Sequence, residues 1–223
     1  MSLDIQDIED TTKYDLTFKI IVIGDPGVGK SCLTGRAVND KFDNQYAPTI
    51  GFEFLTYSVK IEGLIIKLQI WDTCDQEMYR SLISNFYRNA SLAMMVYSID
   101  SRESFAHINT WLKEVRLQSH PDVKIILIGN KKDLEEQRTV TYEEAKKYKD
   151  ENQIFYFEET SAKTGMNAKE VFTEAAKILF QQHNKYKNRA QNINFNDNIS
   201  INSNNYVPNK LVNVGQKRNK GCC

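Results

Sequence analysis

Short apolar runs alternate with amphipathic stretches between residues 18 and 183. The runs Phe18–Ile23, Phe52–Ile61, Ile65–Trp71, Leu92–Ile99, Val123–Ile128 and Ile154–Glu159 read as strands. Helical spacing falls between them, near Ser31–Val38, Glu77–Arg88, Ser104–Ser119, Tyr142–Asp150 and Ala168–Gln182. The second and third runs, joined by Glu62-Gly63-Leu64, predict a hairpin. The remaining alternation calls for parallel strands joined by right-handed helical crossovers, an α/β fold. Ligands in such sheets bind beyond the carboxyl ends of the strands. The pattern stops at residue 184: twelve of the last 40 residues are Asn, and the apolar ones follow no period. The chain therefore divides into a flexible N-terminus (1–13), a domain (14–183) and a disordered, Asn-rich basic tail (184–223).

Composition adds a core and an asymmetry. A hydrophobic fraction of 41% in 223 residues supports one sizeable domain. Net charge is zero, but the tail holds seven basic residues (Lys185, Lys187, Arg189, Lys210, Lys217, Arg218, Lys220) against one acid, Asp197. Residues 1–183 are left with 22 basic and 28 acidic side chains, a net charge of −6. An acidic globule argues against general nucleic-acid binding. A basic tail suits either an anionic membrane surface or plain solubility. MSLDIQDIED has no apolar segment of a secretory signal, no run approaches 18 apolar residues, and Ser2 does not fit N-myristoylation. The cysteines at 32, 74, 222 and 223 suit neither a metal site nor a disulfide framework. The expectation is a cytosolic protein with reduced thiols.

Chemistry concentrates after the first strand. Gly24-Asp25-Pro26-Gly27-Val28-Gly29-Lys30-Ser31 fits the phosphate-binding pattern G-x-x-x-x-G-K-[ST], and Cys32 carries the chain on into a helix. There, backbone N–H groups and a helix N-terminus converge on phosphates. Lys30 places an ammonium on the β- and γ-phosphates, and Ser31 a hydroxyl on Mg²⁺. The pattern arises by chance in on the order of 1% of chains this long.

Later strands end in segments that name the base. Asn130-Lys131-Lys132-Asp133 follows VKIILIG. A carboxylate at Asp133 accepts two hydrogen bonds, matching the N1–H and 2-amino group of guanine, and adenine offers neither. Asn130 can tie this segment to the phosphate loop, and the Lys131 stem can cover the base. In Glu159-Thr160-Ser161-Ala162-Lys163, residues Ser161, Ala162 and Lys163 supply the other side of the pocket. NKKD alone is more often a charged turn; after a strand, and followed by ETSAK, it specifies guanine. Thr49 can complete the Mg²⁺ shell, Asp72 can hold the ion through water, and Gln76 can orient an attacking water. Phe42 can pack edge-on against guanine, or, on a nearly equal footing, belong to the core or a surface patch.

Four motifs in this order resemble the small GTPases of the Ras superfamily, and IGFEF (50–54), KLQIWDT (67–73), FYRNA (86–90) and MVYSID (95–100) resemble segments of its Rab branch. The resemblance covers about residues 14–183. It implies a P-loop GTPase fold, a six-stranded, mostly parallel sheet flanked by five helices. It also implies a switch that binds GTP and GDP with Mg²⁺, with Lys30 and Gln76 as catalytic residues and loops near 42–51 and 72–88 ordered by GTP. The terminal Cys222-Cys223 resembles the doubly geranylgeranylated Rab ending. Two lipids at ~0.8 kcal/mol per buried CH₂ anchor stably where one does not. Implied partners are an exchange factor, a GTPase-activating protein, a GDP-dissociation inhibitor, a Rab escort protein and effectors. The implied setting is a monomer on the cytoplasmic face of an intracellular or plasma membrane, in vesicle traffic.

The departures lie in the switching half. The family's WDTAGQE is WDTCDQE here, so Asp75 stands where a glycine N–H meets the γ-phosphate. At ~5 Å and an effective dielectric of about 20, the added repulsion is roughly 3 kcal/mol. Asp75 keeps the N–H but its Cβ restricts the backbone, Pro26 has no N–H to offer a phosphate, and Asn89 replaces a glycine. Two readings follow: a working Rab-like GTPase, or a hydrolysis-poor, nucleotide-bound membrane adaptor. A P-loop kinase or ATPase is disfavoured by NKKD with ETSAK.

Overall fold

The computed structural model describes residues 3–8, 11–42, 52–73 and 86–196, and all structural statements below concern these. Its sheet has seven strands, in the order β1-β3-β4-β2-β5-β6-β7. They are β1 (Ile5–Asp7), β2 (Leu16–Ile23), β3 (Phe52–Ile61), β4 (Leu64–Thr73), β5 (Leu92–Ser98), β6 (Lys124–Asn130) and β7 (Tyr156–Glu159). The pairs β1–β3 and β3–β4 are antiparallel, and β4, β2, β5, β6 and β7 run parallel. The helices are α1 (Lys30–Asn39), α2 (Arg102–Gln118), α3 (Tyr142–Glu151) and α4 (Ala168–Asn196), with a 3₁₀ helix at Lys132–Gln137. The predicted helix Glu77–Arg88 lies outside the described residues except at its end.

Alternation along the central strands builds two cores. Ile20, Val22, Met94, Val96, Ile126 and Ile128 face α1 and α4, meeting Leu33, Phe172, Ala175 and Leu179. Their neighbours Ile21, Ile23, Ala93, Met95, Tyr97 and Leu127 face the opposite way and pack on Phe105, Ile108, Leu112 and Val115 of α2 and Ala145 of α3. Strands covered on both faces have no polar positions to spare, which is why β5 and β6 read as unbroken apolar runs. From β2 the chain crosses to β3 and β4 on one side, then returns to β5 on the other. The carboxyl end of β2 is thus the point where strand order reverses, and a crevice opens there.

Two expectations need correction, and a third feature is sharper than expected. The sheet has seven strands, not six, because residues 5–7 are not flexible: Ile5, Gln6 and Asp7 pair with Ile61, Lys60 and Val59. Asp4 N–H donates to Glu62 Oε1 (3.0 Å), and Tyr57 Oη meets Asp7 Oδ1 (3.3 Å). Three residues are too short for a periodic signal. The expected tail from 184 is also helical as far as Asn196. Nothing from Asn184 to Asn196 is Pro or Gly, so the packed helix simply continues. Gln182 Nε2, donating to the Asp122 carbonyl (3.0 Å), marks where α4 leaves the domain. The hairpin turn is two residues, Glu62 (φ 50°) and Gly63 (φ 80°), the positive-φ pair that matches strand twist.

Phe172, fully buried on α4 against the Tyr57 ring, anchors the larger core. Phe172→Ala will lower unfolding free energy by about 3–5 kcal/mol, read by urea denaturation; a loss below about 1 kcal/mol would show that this face does not hold the helix.

Candidate functional site

The crevice at the carboxyl end of β2 is built from glycines that must be glycines. Gly24 (φ 141°) runs so close to β5 that a Cβ would lie 2.0 Å from the Val96 carbonyl oxygen. Gly29 (φ 92°) caps α1 in the left-handed region, where a Cβ would sit 2.5 Å from Asn130 Nδ2. Gly27 (φ 77°) has open space around it, so there only the backbone demands glycine. Between them Asp25 is half-buried and Pro26 exposed, while Val28 sinks into the core at 2% exposure. Lys30 begins α1, is 7% exposed, and donates from Nζ to the carbonyls of Gly24 (2.7 Å) and Asp25 (2.9 Å). An ammonium thus lies across the mouth of a loop closed by a helix N-terminus, an anion-binding geometry. Ser31 and Cys32 follow in the first turn.

The NKKD and ETSAK segments converge on this loop. Asn130, 1% exposed at the end of β6, donates from Nδ2 to the Val28 carbonyl (2.9 Å). Its Oδ1 accepts from the fully buried Thr160 hydroxyl (3.1 Å). Lys131 turns the chain through φ 65°, presenting Asp133, whose Oδ1 accepts from Ser161 Oγ (2.5 Å). Lys163 Nζ lies 4.0 Å from Asp133 Oδ2. Ala162 is buried in the core, and its carbonyl accepts from Arg36 Nε (2.9 Å). The result is a carboxylate fixed from one side, with its remaining lone pairs available to two parallel donors such as those of guanine.

Other sequence-predicted residues fall in three groups. Asp72 is fully buried at the end of β4, beside Val22 of β2. Its carboxylate and the Ser31 hydroxyl are hard oxygen donors of the kind Mg²⁺ takes together with substrate phosphates. Phe42 packs against the core on the α1–α4 face, so the core half of its two readings is met. Thr49, Cys74, Asp75, Gln76, Cys222 and Cys223 lie outside the described residues. Asn89, standing where the family has glycine, adopts φ 62°, a left-handed conformation that Asn tolerates.

Several supporting residues escaped the motifs. Arg138 grips Glu159 with both terminal nitrogens (2.7 and 2.8 Å), and Lys132 Nζ reaches the same carboxylate at 2.9 Å. Glu135 closes the network; the Arg138 guanidinium, then the Lys132 ammonium, hold its carboxyl down to about 2. Arg36 Nη2 also donates to the Lys163 carbonyl (2.8 Å). On the other flank, Asp25 points away from the loop mouth: His107 Nδ1 meets its Oδ2 at 2.6 Å and Trp111 Nε1 donates to its Oδ1 at 2.8 Å. Arg138, Glu135, Arg36, His107 and Trp111 lie in no phosphate- or base-binding motif; only contact across elements reveals them.

Residues 19–181 match the model of the Ras family. The Ras-related protein Rab-4B of rat, of human and of mouse is in each case 43% identical over 169 residues, which span 76% of this chain and 79% of the relative.

Asn130→Ala strips the Val28 carbonyl and the Thr160 hydroxyl of a buried partner at once, a loss of about 1–3 kcal/mol. Release of a fluorescent guanosine diphosphate will accelerate roughly 5- to 150-fold as measured by stopped-flow; a rate within twofold of wild type would mean that the tie is incidental.

Proposed function

The chain belongs to the Ras family as a Rab-like small GTPase, and from that premise we propose that it binds GTP and GDP with Mg²⁺ and hydrolyses GTP as a switch in vesicle-mediated membrane traffic. The observation that carries this reading is the tie from Asn130 to the Val28 carbonyl, which joins a guanine-selective carboxylate to a phosphate-binding loop. Phosphate groups would lie against Lys30 and the amides that open α1, and the base against Asp133, Ser161, Ala162 and Lys163, with Phe42 at the rim. Ser31, Asp72 and Thr49 would hold the metal ion, which when bound neutralises charge on the phosphates.

Hydrolysis needs a water in line with the γ-phosphate, and Gln76 has the chemistry to orient it. Lys30 holds the phosphates while charge redistributes. Membrane attachment rests on Cys222 and Cys223 carrying prenyl groups, with the basic tail drawn to anionic lipid. An exchange factor, a GTPase-activating protein, a GDP-dissociation inhibitor, an escort protein and effectors are the partners such a cycle needs.

A second reading is favoured by two residues. By its place in the family pattern, Asp75 would bring a carboxylate towards the γ-phosphate, and Pro26 has no N–H to offer there. Both weaken the GTP-bound order that hydrolysis needs, leaving a nucleotide-bound adaptor. Single-turnover hydrolysis by preloaded wild type and Asp75→Gly separates the two. The switch reading expects rates within about threefold of each other; a variant faster by tenfold or more supports the adaptor. Purified protein without guanine nucleotide excludes both.

Base choice has its own test. Asp133→Asn replaces one acceptor with a donor, which clashes with the guanine 2-amino group and fits the 2-oxo group of xanthine. Affinity for GDP will fall and that for xanthosine diphosphate rise, an exchange on the order of 10³ or more in ratio, since a site left with unpaired polar groups discriminates strongly. An unchanged ratio by competition binding would remove Asp133 from the base pocket.

A further inference from the structure

We propose that His107 and Trp111 of α2 are positioning residues for the phosphate loop, acting through the Asp25 carboxylate, and that His107 protonation sets how fast nucleotide leaves. The inference rests on the nucleotide-binding reading above and adds to it a control point on a different helix. Asp25 sits in the loop that must receive a polyanion, yet its side chain is turned away. Trp111 Nε1 donates to Oδ1 at 2.8 Å and His107 Nδ1 meets Oδ2 at 2.6 Å, so each oxygen has its own donor. The same residue's carbonyl accepts from Lys30 Nζ at 2.9 Å. A continuous chain of contacts thus runs from the α2 surface, through Asp25, to the ammonium meant for the phosphates.

The loop has reason to need such a hold. Asp25 and Pro26 are flanked by Gly24 (φ 141°) and Gly27 (φ 77°), two residues that impose little backbone restraint. Pro26 offers no N–H with which to tie the turn. Fixing Asp25 from the side therefore restricts the segment, and it also directs the carboxylate's charge towards a cation and away from the phosphates.

The two donors differ in kind. Trp111 is partly buried against the α2 core and donates at any pH. His107 is half-exposed and titrates, with its side chain 50% accessible. The groups that face it among the described residues are Asp25 from the phosphate loop and Glu103 one turn earlier on α2; the hydrogen bond to Asp25, then its charge and that of Glu103, raise the His107 pKa. The sign follows. A histidine whose pKa is raised in the folded protein contributes fully below its ordinary value near 6.5 and loses the contribution as pH climbs through the raised value. The clamp is therefore tightest in acid and loosens towards alkaline pH, where a neutral imidazole still donates but without charge assistance.

The test is the dissociation rate of a fluorescent guanosine diphosphate from the full chain with Mg²⁺, between pH 5.5 and 8.5. Wild type should release nucleotide about three- to tenfold faster at the alkaline end, the difference between a charge-assisted and a neutral hydrogen bond. Protonation of the diphosphate itself acts on every variant alike, so the comparison is between profiles. His107→Gln, which keeps a neutral donor at an exposed site, should release at the fast rate throughout and lose most of the pH dependence. Trp111→Phe should release faster at every pH while keeping the wild-type slope. Superimposable profiles for wild type and His107→Gln would overturn the proposal, as would a Trp111→Phe rate equal to wild type. A protein that binds no guanine nucleotide at any pH would overturn the nucleotide-binding reading with it, whereas bound nucleotide released at a rate insensitive to both variants overturns the clamp alone.

Discussion

One buried amide holds the site together. Asn130 receives the Thr160 hydroxyl on its oxygen and gives its Nδ2 to the Val28 carbonyl. Those two bonds join the ends of β6 and β7 to the loop after β2, three segments separated by roughly a hundred residues of sequence on one side and thirty on the other. Because Asn130 and Thr160 are each at most 1% exposed, neither bond competes with water, and breaking either leaves a polar group stranded in a dry environment. The constraint extends to Gly29, whose missing Cβ is what lets Asn130 approach.

Around that amide, side chains from several elements brace the converging segments. Behind the NKKD and ETSAK segments lies the Arg138–Glu159–Lys132–Glu135 network, and two Arg36 nitrogens hold the carbonyls of Ala162 and Lys163 from α1. On the loop after β2, Lys30 holds two carbonyls and the Asp25 side chain meets α2.

Much of this was legible in the chain. The phosphate loop, NKKD and ETSAK were readable because each couples a fixed spacing to a strand end, and the central strands because burial on both faces leaves uninterrupted apolar runs. The short strand at Ile5–Asp7 was not, since three residues carry no period and their pairing depends on where β3 happens to end. The helical reach of α4 to Asn196 was masked by asparagine, whose modest intrinsic cost is overridden when a packed helix runs straight into it. The Arg138, Arg36, His107 and Trp111 contacts were invisible for a different reason: each is made between elements far apart in sequence, and a lone Arg or His has no local signature. Conversely, Phe42 was readable as core or as base contact, and its packing against the α1–α4 face meets the first.

If the Asn130 amide unites the site, Thr160 acts on the phosphate loop through it, and a double-mutant cycle addresses this directly. Guanosine diphosphate dissociation would be measured for Thr160→Val, Asn130→Ala and the two together. If one chain of bonds carries the coupling, the double variant will release nucleotide within about twofold of Asn130→Ala alone, since residues in one network are not additive. Multiplying effects, with the double variant as fast as the product of the singles, would mean that the two residues act independently and that no single amide unites the site.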